Sequence, residues 1–470
     1  MILERGKQVE EKLTNKMKKK IVFNEENYQE LHRNLDRLQD NYKKRVELFL
    51  SPIREKVNRK FINEIVNLLT SYEKFFQIQI KDLPYCLINE TEDRLIINES
   101  SKQKIHLKIC KNCRYRRRCG GILKTQLKFY KNQIEPIEDL PREIMIELEP
   151  KCNFNCIFCF NKNSFAVNGR DKINGFSKSY VKKIIKAMAL SKIKIIRFTG
   201  GEPMLRKDIW ELMDYAKSNG LKIRLNTNGS LISDKNIVKR LNKYISSILL
   251  PIESYDNEKE SFLTGYKDSL KKKIKAIHLL KNHGKMIIRV GTVATKETIR
   301  NLEKIFNLVI NELNLDDWEL YRPIPTKKNK FPINKNDLRI LVNKLIKFQK
   351  LTGRVFNIVN AVPFCAYNIE KVNMVSNGAL SVDGHIRYVI DPRGFAKPDY
   401  YIDKNIGDPL DIKGCWNHPF MKKMRNLKYV PKVCNGCKYI EKCRGGSRFA
   451  AKTTFNSFKA KDPLVNYISR

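Results

Sequence analysis

Residues 144–162 read IMIELEPKCNFNCIFCFNK, an apolar run followed at once by Cys152, Cys156 and Cys159. The run reads as a strand and the cysteines as the loop at its C-terminal end. Zinc and ordinary iron–sulfur sites take four protein ligands, so three thiols in one loop leave a coordination position unfilled. An unfilled position on a metal centre is where a substrate or cosubstrate binds.

Working outward, short apolar runs alternate with helical patterns. Strands are expected at Ile144–Leu148, Ile193–Phe198, Lys222–Asn226, Ser247–Pro251, Met286–Val293 and Trp318–Leu320, with helical stretches such as SYVKKIIKAMAL (179–190) and DIWELMDYAKSNG (208–220) between them. Six βα repeats predict an α/β fold, a parallel sheet curved into a partial (βα)6 TIM-like barrel that works at the C-terminal edge of its strands. The second strand ends in FTGGEPM, where Gly200 and Gly201 let backbone approach a ligand closely and Glu202, before Pro203, can accept from an ammonium. The third ends in LNTNGS, where Asn226, Thr227 and Asn228 offer amide and hydroxyl groups. Each of these two pieces alone is also an ordinary βα turn.

Taken together, the cysteine spacing, the aromatic Phe158 before the last cysteine, the Gly-Gly-Glu-Pro and the Asn-Gly at successive strand ends resemble the radical S-adenosylmethionine (SAM) superfamily. The resemblance runs from about residue 141 through the C-terminal region. It implies that Cys152, Cys156 and Cys159 hold a [4Fe–4S] cluster whose open iron is chelated by SAM. By the same carry-over Phe158 lies near the adenine, Gly200, Gly201, Glu202 and Pro203 bind the methionine ammonium, and Asn226 and Asn228 lie near the ribose or carboxylate. The fourth strand departs from the pattern: where relatives of the peptide-modifying branch show Ser-x-Asp-Gly, this chain has LPIESYDNE, with Pro251 and Glu253 in those places.

Two further cysteine groups echo each other. LPYCLIN (83–89) precedes ICKNCRYRRRCGGI (109–122), and VPFCAYN (362–368) precedes VCNGCKYIEKCRGGSRFAA (433–451). Each pairs Pro-aromatic-Cys with a distal Cys-x2-Cys-x5-Cys and glycine, so the two read as copies of one metal-binding unit. Cys86, Cys110, Cys113 and Cys119 form one set; Cys365, Cys434, Cys437 and Cys443 form the other. Four thiolates suit a fully ligated iron–sulfur cluster or Zn²⁺ alike. The segment 406–437 resembles the SPASM/Twitch extension, which implies an auxiliary cluster, although Val389, Ser447 and Val465 stand where that pattern has cysteines. One C-terminal cluster is therefore expected, with Cys365 as fourth ligand and Cys415 as the competing choice. His385 and His418 read as structural histidines, and Arg322, after the sixth strand, as a candidate for meeting an anionic group.

The chain of 470 residues carries 92 Lys and Arg against 50 Asp and Glu, a formal charge of +42. Such a field attracts acidic partners: RNA, an acidic peptide, or a low-potential electron donor such as ferredoxin or flavodoxin. No apolar h-region opens the sequence and no apolar run reaches membrane-spanning length, so the expectation is a cytoplasmic protein without membrane contact. Twelve cysteines then argue for metal ligation before disulfides. Residues 24–81 carry a charged helical pattern, giving a helical region over 1–85, a cysteine-rich module over 86–140, the barrel over 141–340 and the SPASM-like region over 341–470. The function expected is radical SAM chemistry on a peptide or protein, with RNA modification and small-cofactor biosynthesis as alternatives. A non-catalytic, zinc-stabilised nucleic-acid-binding protein is the alternative of another class.

Overall fold

The structure is a computed structural model that describes residues 18–23, 33, 46–52, 62, 64–65, 76–81, 83–87, 96–97, 101–116, 119–159, 175–315, 317–324, 332–379, 382 and 384–466. It divides into two compact units, residues 1–140 with 348–355, and residues 141–347 with 356–470.

In the first unit β1 (Lys18–Phe23), β2 (Val46–Pro52), β3 (Phe76–Lys81) and β4 (Ile96–Ile97) form a parallel sheet in that order. The expectation of helix throughout 24–81 is corrected here: β2 and β3 lie inside it. The β3 sequence FQIQIK alternates apolar and polar at every second residue, the period of a strand and not of a helix. Parallel neighbours need long crossovers, and within these connections the described residues 33, 62, 64 and 65 are helical. The rest of the predicted helices lies outside the described residues. A short ribbon of β5 (Lys104–Ile105) against β6 (Ile122–Leu123) completes the unit's strands among the described residues.

The second unit is built on a nine-stranded sheet. Its centre is β7 (Glu143–Glu149), β8 (Ile195–Gly200), β9 (Lys222–Asn226), β10 (Ile245–Pro251), β11 (Ile287–Val293) and β12 (Asp317–Tyr321), adjacent in chain order and all parallel. These are the six expected strands, each within two residues of its predicted start. Strands from beyond residue 340 extend the same sheet: β13 (Asn357–Ile358) beside β12, and β14 (Arg387–Ile390) with β15 (Ala396–Lys397) beside β7. Helices α1 (Lys178–Leu190), α2 (Ile209–Ser218), α3 (Lys235–Asn242), α4 (Asn257–Thr264) and α5 (Ser269–His283) fill the crossovers. Ser177 caps α1 by accepting from the Tyr180 N–H at 3.2 Å, and Asp234 caps α3 by accepting from Asn236 and Ile237.

Alternation along the strands sorts the two faces. In β8 Ile196 and Phe198 are fully buried on one face, while Arg197 turns to the other and meets Glu143. Glu143 is the hub of the barrel interior: Arg197 binds it through Nε and a terminal nitrogen, both at 3.0 Å, Arg224 at 2.9 Å and Arg387 at 3.1 Å. Burial alone raises a carboxyl; Arg197, then Arg387 and Arg224, outweigh it and hold Glu143 well below the usual carboxylate range. Ion pairing thus lets charged residues occupy strands that are otherwise apolar. Among the described residues no helix is long and apolar enough to cross a membrane.

Candidate active site

The loops after β7, β8, β9 and β10 leave the sheet at one edge, and hydrogen bonds tie them together. The three-cysteine loop is seated on the turn between α4 and α5. Its Asn155 N–H donates to Thr264 O at 2.8 Å and its Ile157 N–H to Leu263 O at 3.0 Å, while Phe154 stacks on Tyr266 at 4.4 Å between centroids. Gly265, at φ 61°, ends α4, and a Cβ there would stand 2.9 Å from the Asn155 Cβ. The Cys152 sulfur accepts from the Phe154 N–H at 3.4 Å and faces the Asn228 amide at 3.9 Å. Burial, then Cys159, pushes the Cys156 thiol up to about 12; Glu253 and Cys152 add to this and Lys273 opposes it. Cys152 and Cys159 therefore both lie within electrostatic reach of Cys156.

Gly200 and Gly201 are needed, and the close approach they permit is to the chain itself. A Cβ on Gly200 would stand 2.6 Å from Glu149 O, and one on Gly201 2.0 Å from Lys151 O. The Gly201 N–H donates to Glu149 O at 2.7 Å and the Glu202 N–H to Lys151 O at 2.8 Å, so this segment zips onto the lead-in to the cysteines. Pro203 opens the 3-10 turn that follows. Glu202 is fully buried and serves three donors: the Met204 N–H at 3.0 Å, the Thr227 hydroxyl at 2.8 Å and the Asn228 N–H at 2.7 Å. A carboxylate offers about four acceptor positions, so roughly one is left for a ligand. Burial raises the carboxyl to about 7 against the opposing pull of those bonds.

The third strand end completes the brace. Asn226 Oδ1 accepts from Arg197 at 3.0 Å, linking this edge to the interior network. The Asn228 side chain donates to Asn153 Oδ1 at 2.8 Å and accepts from the Ser230 N–H and hydroxyl, and Asn153 donates to the Ser230 hydroxyl at 2.9 Å. Phe158 is half-buried beside Cys159. At the fourth strand end Glu253 is buried, accepts from the Val293 N–H at 2.7 Å, and is pushed to about 8 by burial and then by Glu260. Glu260 in turn accepts from the Glu253 and Ser254 N–H groups and pairs with the fully buried Lys273 at 2.5 Å. Sequence reading missed Glu260, Lys273 and the Glu143 hub; Glu260 and Lys273 stand among other charged residues in NEKESFLT and SLKKKIKAI, and only Glu143, at the head of the apolar run EIMIELE, offered a signal.

Cys365, Cys434, Cys437 and Cys443 act on one another electrostatically, as do Cys86, Cys110, Cys113 and Cys119. Cys415 stands apart with carboxylates: it is buried, donates to Asp408 O at 3.0 Å, and is pushed to about 12 by burial, then Asp411 and Asp408. Among the described residues no three His, Cys, Asp or Glu side chains are grouped to hold a single metal ion. Arg322 finds its anion within the chain, a bidentate pair with Asp462 at 2.8 and 2.9 Å. His385 contacts Arg444 at 2.8 Å, and His418 caps residues 419–425 by accepting from the Phe420 N–H.

Known proteins were compared with this chain. A family model described as the radical SAM superfamily matches residues 146–309. The AdoMet-dependent heme synthase of Oleidesulfovibrio alaskensis is 25% identical over 297 residues, 59% of this chain and 75% of its own. The mycofactocin maturase MftC of Mycolicibacterium smegmatis is 22% identical over 353 residues, 70% of this chain and 84% of its own. Among solved structures, anSMEcpe with bound AdoMet shares the fold with a TM-score of 0.55 at 19% identity, over 69% of this chain and 93% of that one. Streptococcus suis SuiB bound to precursor peptide SuiA gives 0.55 at 18% identity, over 73% and 78%. The family match begins inside β7 and runs past β11, the stretch that builds the braced edge, and the chain belongs to the radical SAM superfamily of enzymes.

Proposed function

We propose that the chain is a radical SAM enzyme that modifies a peptide or protein, with its core cluster on Cys152, Cys156 and Cys159. The observation that carries the core assignment is the contact of Asn228 with Cys152 and Asn153, which joins the cysteine loop to the strand ends where the resemblance locates SAM. Superfamily membership implies a [4Fe–4S] cluster and SAM, and the residues fit them. Three thiols stand on one loop that backbone hydrogen bonds seat on residues 263 and 264, the Cys152 sulfur receives a backbone N–H, and burial opposes ionisation of Cys156 without a bound cation.

Cys152, Cys156 and Cys159 would hold the cluster, which together with SAM would supply one-electron reductive cleavage of the sulfonium and, from it, hydrogen-atom abstraction from the substrate. The chain's own work is positional. The Phe154–Tyr266 stack and the Gly265 seat fix the cysteine loop, the Glu202 brace fixes the spacing of the three strand ends, and buried Lys273 places a positive charge beside the loop, 5.4 Å from the Phe154 ring. The C-terminal set of Cys365, Cys434, Cys437 and Cys443 provides a fully protein-ligated auxiliary site, with Cys415 outside it.

A peptide substrate is supported by the likeness to a mycofactocin maturase and to SuiB, which has been solved with its precursor peptide. A second reading, small-cofactor biosynthesis, is favoured by the heme synthase likeness. The deciding experiment incubates reconstituted protein anaerobically with SAM, dithionite and short peptides encoded beside its gene, scoring 5′-deoxyadenosine and peptide mass. A mass change with 5′-deoxyadenosine above the peptide-free rate is expected. Stimulation by a tetrapyrrole but by no peptide would overturn the substrate assignment, and no 5′-deoxyadenosine under any condition would overturn the core site. Binding of bulk RNA that falls steeply with salt would bring the RNA alternative forward.

A further inference from the structure

The N-terminal unit carries a second copy of the C-terminal cysteine module, matched in five backbone hydrogen bonds. The Pro-aromatic-Cys of each forms a 3-10 turn, closed by Leu87 N–H to Pro84 O in one and Ala366 N–H to Pro363 O in the other, both 3.1 Å. The first distal cysteine donates to the residue three before it: Cys110 to Leu107 O and Cys434 to Pro431 O, both 2.9 Å. The second donates to the first, Cys113 to Cys110 O at 3.1 Å and Cys437 to Cys434 O at 3.2 Å. Arg116 donates to Cys113 O and Ile440 to Cys437 O, both 3.0 Å. The third cysteine donates to a tyrosine carbonyl, Cys119 to Tyr115 O at 2.7 Å and Cys443 to Tyr439 O at 2.8 Å.

Side chains follow the same plan. The aromatic ring before the proximal cysteine meets that tyrosine in both copies, Tyr85 on Tyr115 at 4.7 Å and Phe364 on Tyr439 at 5.7 Å. The sulfur of the third cysteine accepts a backbone N–H in both copies, Gly121 to Cys119 at 3.4 Å and Phe364 to Cys443 at 3.5 Å, and a glycine, Gly121 or Gly445, stands two residues past that cysteine in each. Both glycines hold positive φ, 92° and 74°, and a Cβ on Gly121 would stand 2.3 Å from Ile105 O.

In the N-terminal copy the four sulfur-bearing residues line one small pocket, whose remaining walls are largely apolar, with Ile105, Leu107, Ile122 and Ile134 among them. Four cysteines on one pocket supply every ligand a [4Fe–4S] cluster needs, the apolar walls keep water from it, and the Gly121 N–H donates to one of the sulfurs.

We propose that Cys86, Cys110, Cys113 and Cys119 hold a [4Fe–4S] cluster with all four irons ligated by protein, in a duplicated copy of the C-terminal module. The family match and the barrel lie outside these residues, so the inference goes beyond the proposed function and stands or falls without it. With every corner filled by a cysteine, the cluster has no position for SAM.

The test reconstitutes the full-length chain anaerobically with iron and sulfide. The double variant Cys110→Ala, Cys113→Ala should lose one cubane equivalent of iron and sulfide while keeping wild-type 5′-deoxyadenosine formation with dithionite. A second variant leaves only the N-terminal set of four intact, with Cys152, Cys156, Cys159, Cys434 and Cys437 all changed to Ala. It should retain one cubane whose reduced electron paramagnetic resonance spectrum is unchanged by SAM. The proposal is overturned if the double variant loses stoichiometric zinc and no iron, if its iron content equals wild type, or if the second variant shows no cluster or one whose spectrum SAM shifts.

Discussion

The Glu202 carboxylate accepts the backbone N–H of Asn228 at 2.7 Å, joining the end of β8 to the loop after β9. With the Thr227 hydroxyl on its other oxygen, this side chain is at once a ligand candidate and a strut. Glu202→Gln removes the charge and turns an amide NH₂, itself a donor, toward groups that donate. SAM affinity should fall roughly ten- to a hundredfold and folding stability by about 1–3 kcal/mol, read by equilibrium dialysis and by urea unfolding. Loss of affinity at full stability would make Glu202 a ligand group alone.

Two buried carboxyls give the apo-protein a pH signature. Glu202 and Glu253 have folded values raised to about 7 and about 8 from an ordinary 4.5, so the folded state holds their protons more tightly than the unfolded. Their contribution is fully present below about pH 4.5 and is lost as pH rises through 7 and 8, by about 1.4 kcal/mol for each group and pH unit crossed. Thermal midpoints of metal-free protein should fall from pH 5.5 toward about pH 8, and Glu253→Gln should flatten that fall. An identical slope in the variant would remove Glu253 as a source.

Replacing Cys152, Cys156 and Cys159 by Ala should abolish reductive formation of 5′-deoxyadenosine while leaving the iron of the outer modules in place. Chromatography of quenched reactions checks the first and iron analysis the second. Wild-type rates in the triple variant would displace the core site from this loop.

Glu143→Gln should be among the most damaging single changes in the barrel, because three guanidinium groups share that one buried carboxylate. Leaving them uncompensated costs about 3–5 kcal/mol. Denaturant unfolding measures it, and a loss below 1 kcal/mol would show that solvent already reaches Arg224 and Arg387 well enough to replace the ion pairs.

The six barrel strands were legible because strands buried on both faces must be nearly continuous apolar runs, as IIRFTG and ISSILLP are. The N-terminal strands were not, since their apolar residues lie among charged stretches whose helical pattern dominates any long window. Strand β14 adds only RYVI to the sheet and takes its meaning from pairing with β7, a contact more than two hundred residues away in sequence. Residue types named Glu202, Asn226 and Asn228 as polar groups at the working edge, but type does not fix direction: Glu202 and Asn228 spend most of their hydrogen-bonding capacity on the protein, and Asn226 Oδ1 accepts from Arg197. Cys365 and Cys415 were separable only once the turn after Pro363 and the Asp408 carbonyl were in view.

The pair between Arg322 and Asp462 spans 140 residues of chain. The same aspartate accepts the N–H groups of Ser447 and Leu464, just past the last cysteine of the C-terminal set. During synthesis the β12 arginine therefore emerges from the ribosome well before its counter-ion exists, and waits with a charge that cannot be buried. The rim of the barrel and the cysteine module can lock only when translation has passed residue 462. A nascent chain cut short before that point keeps all its core cysteines yet leaves Arg322 without the carboxylate that pairs with it.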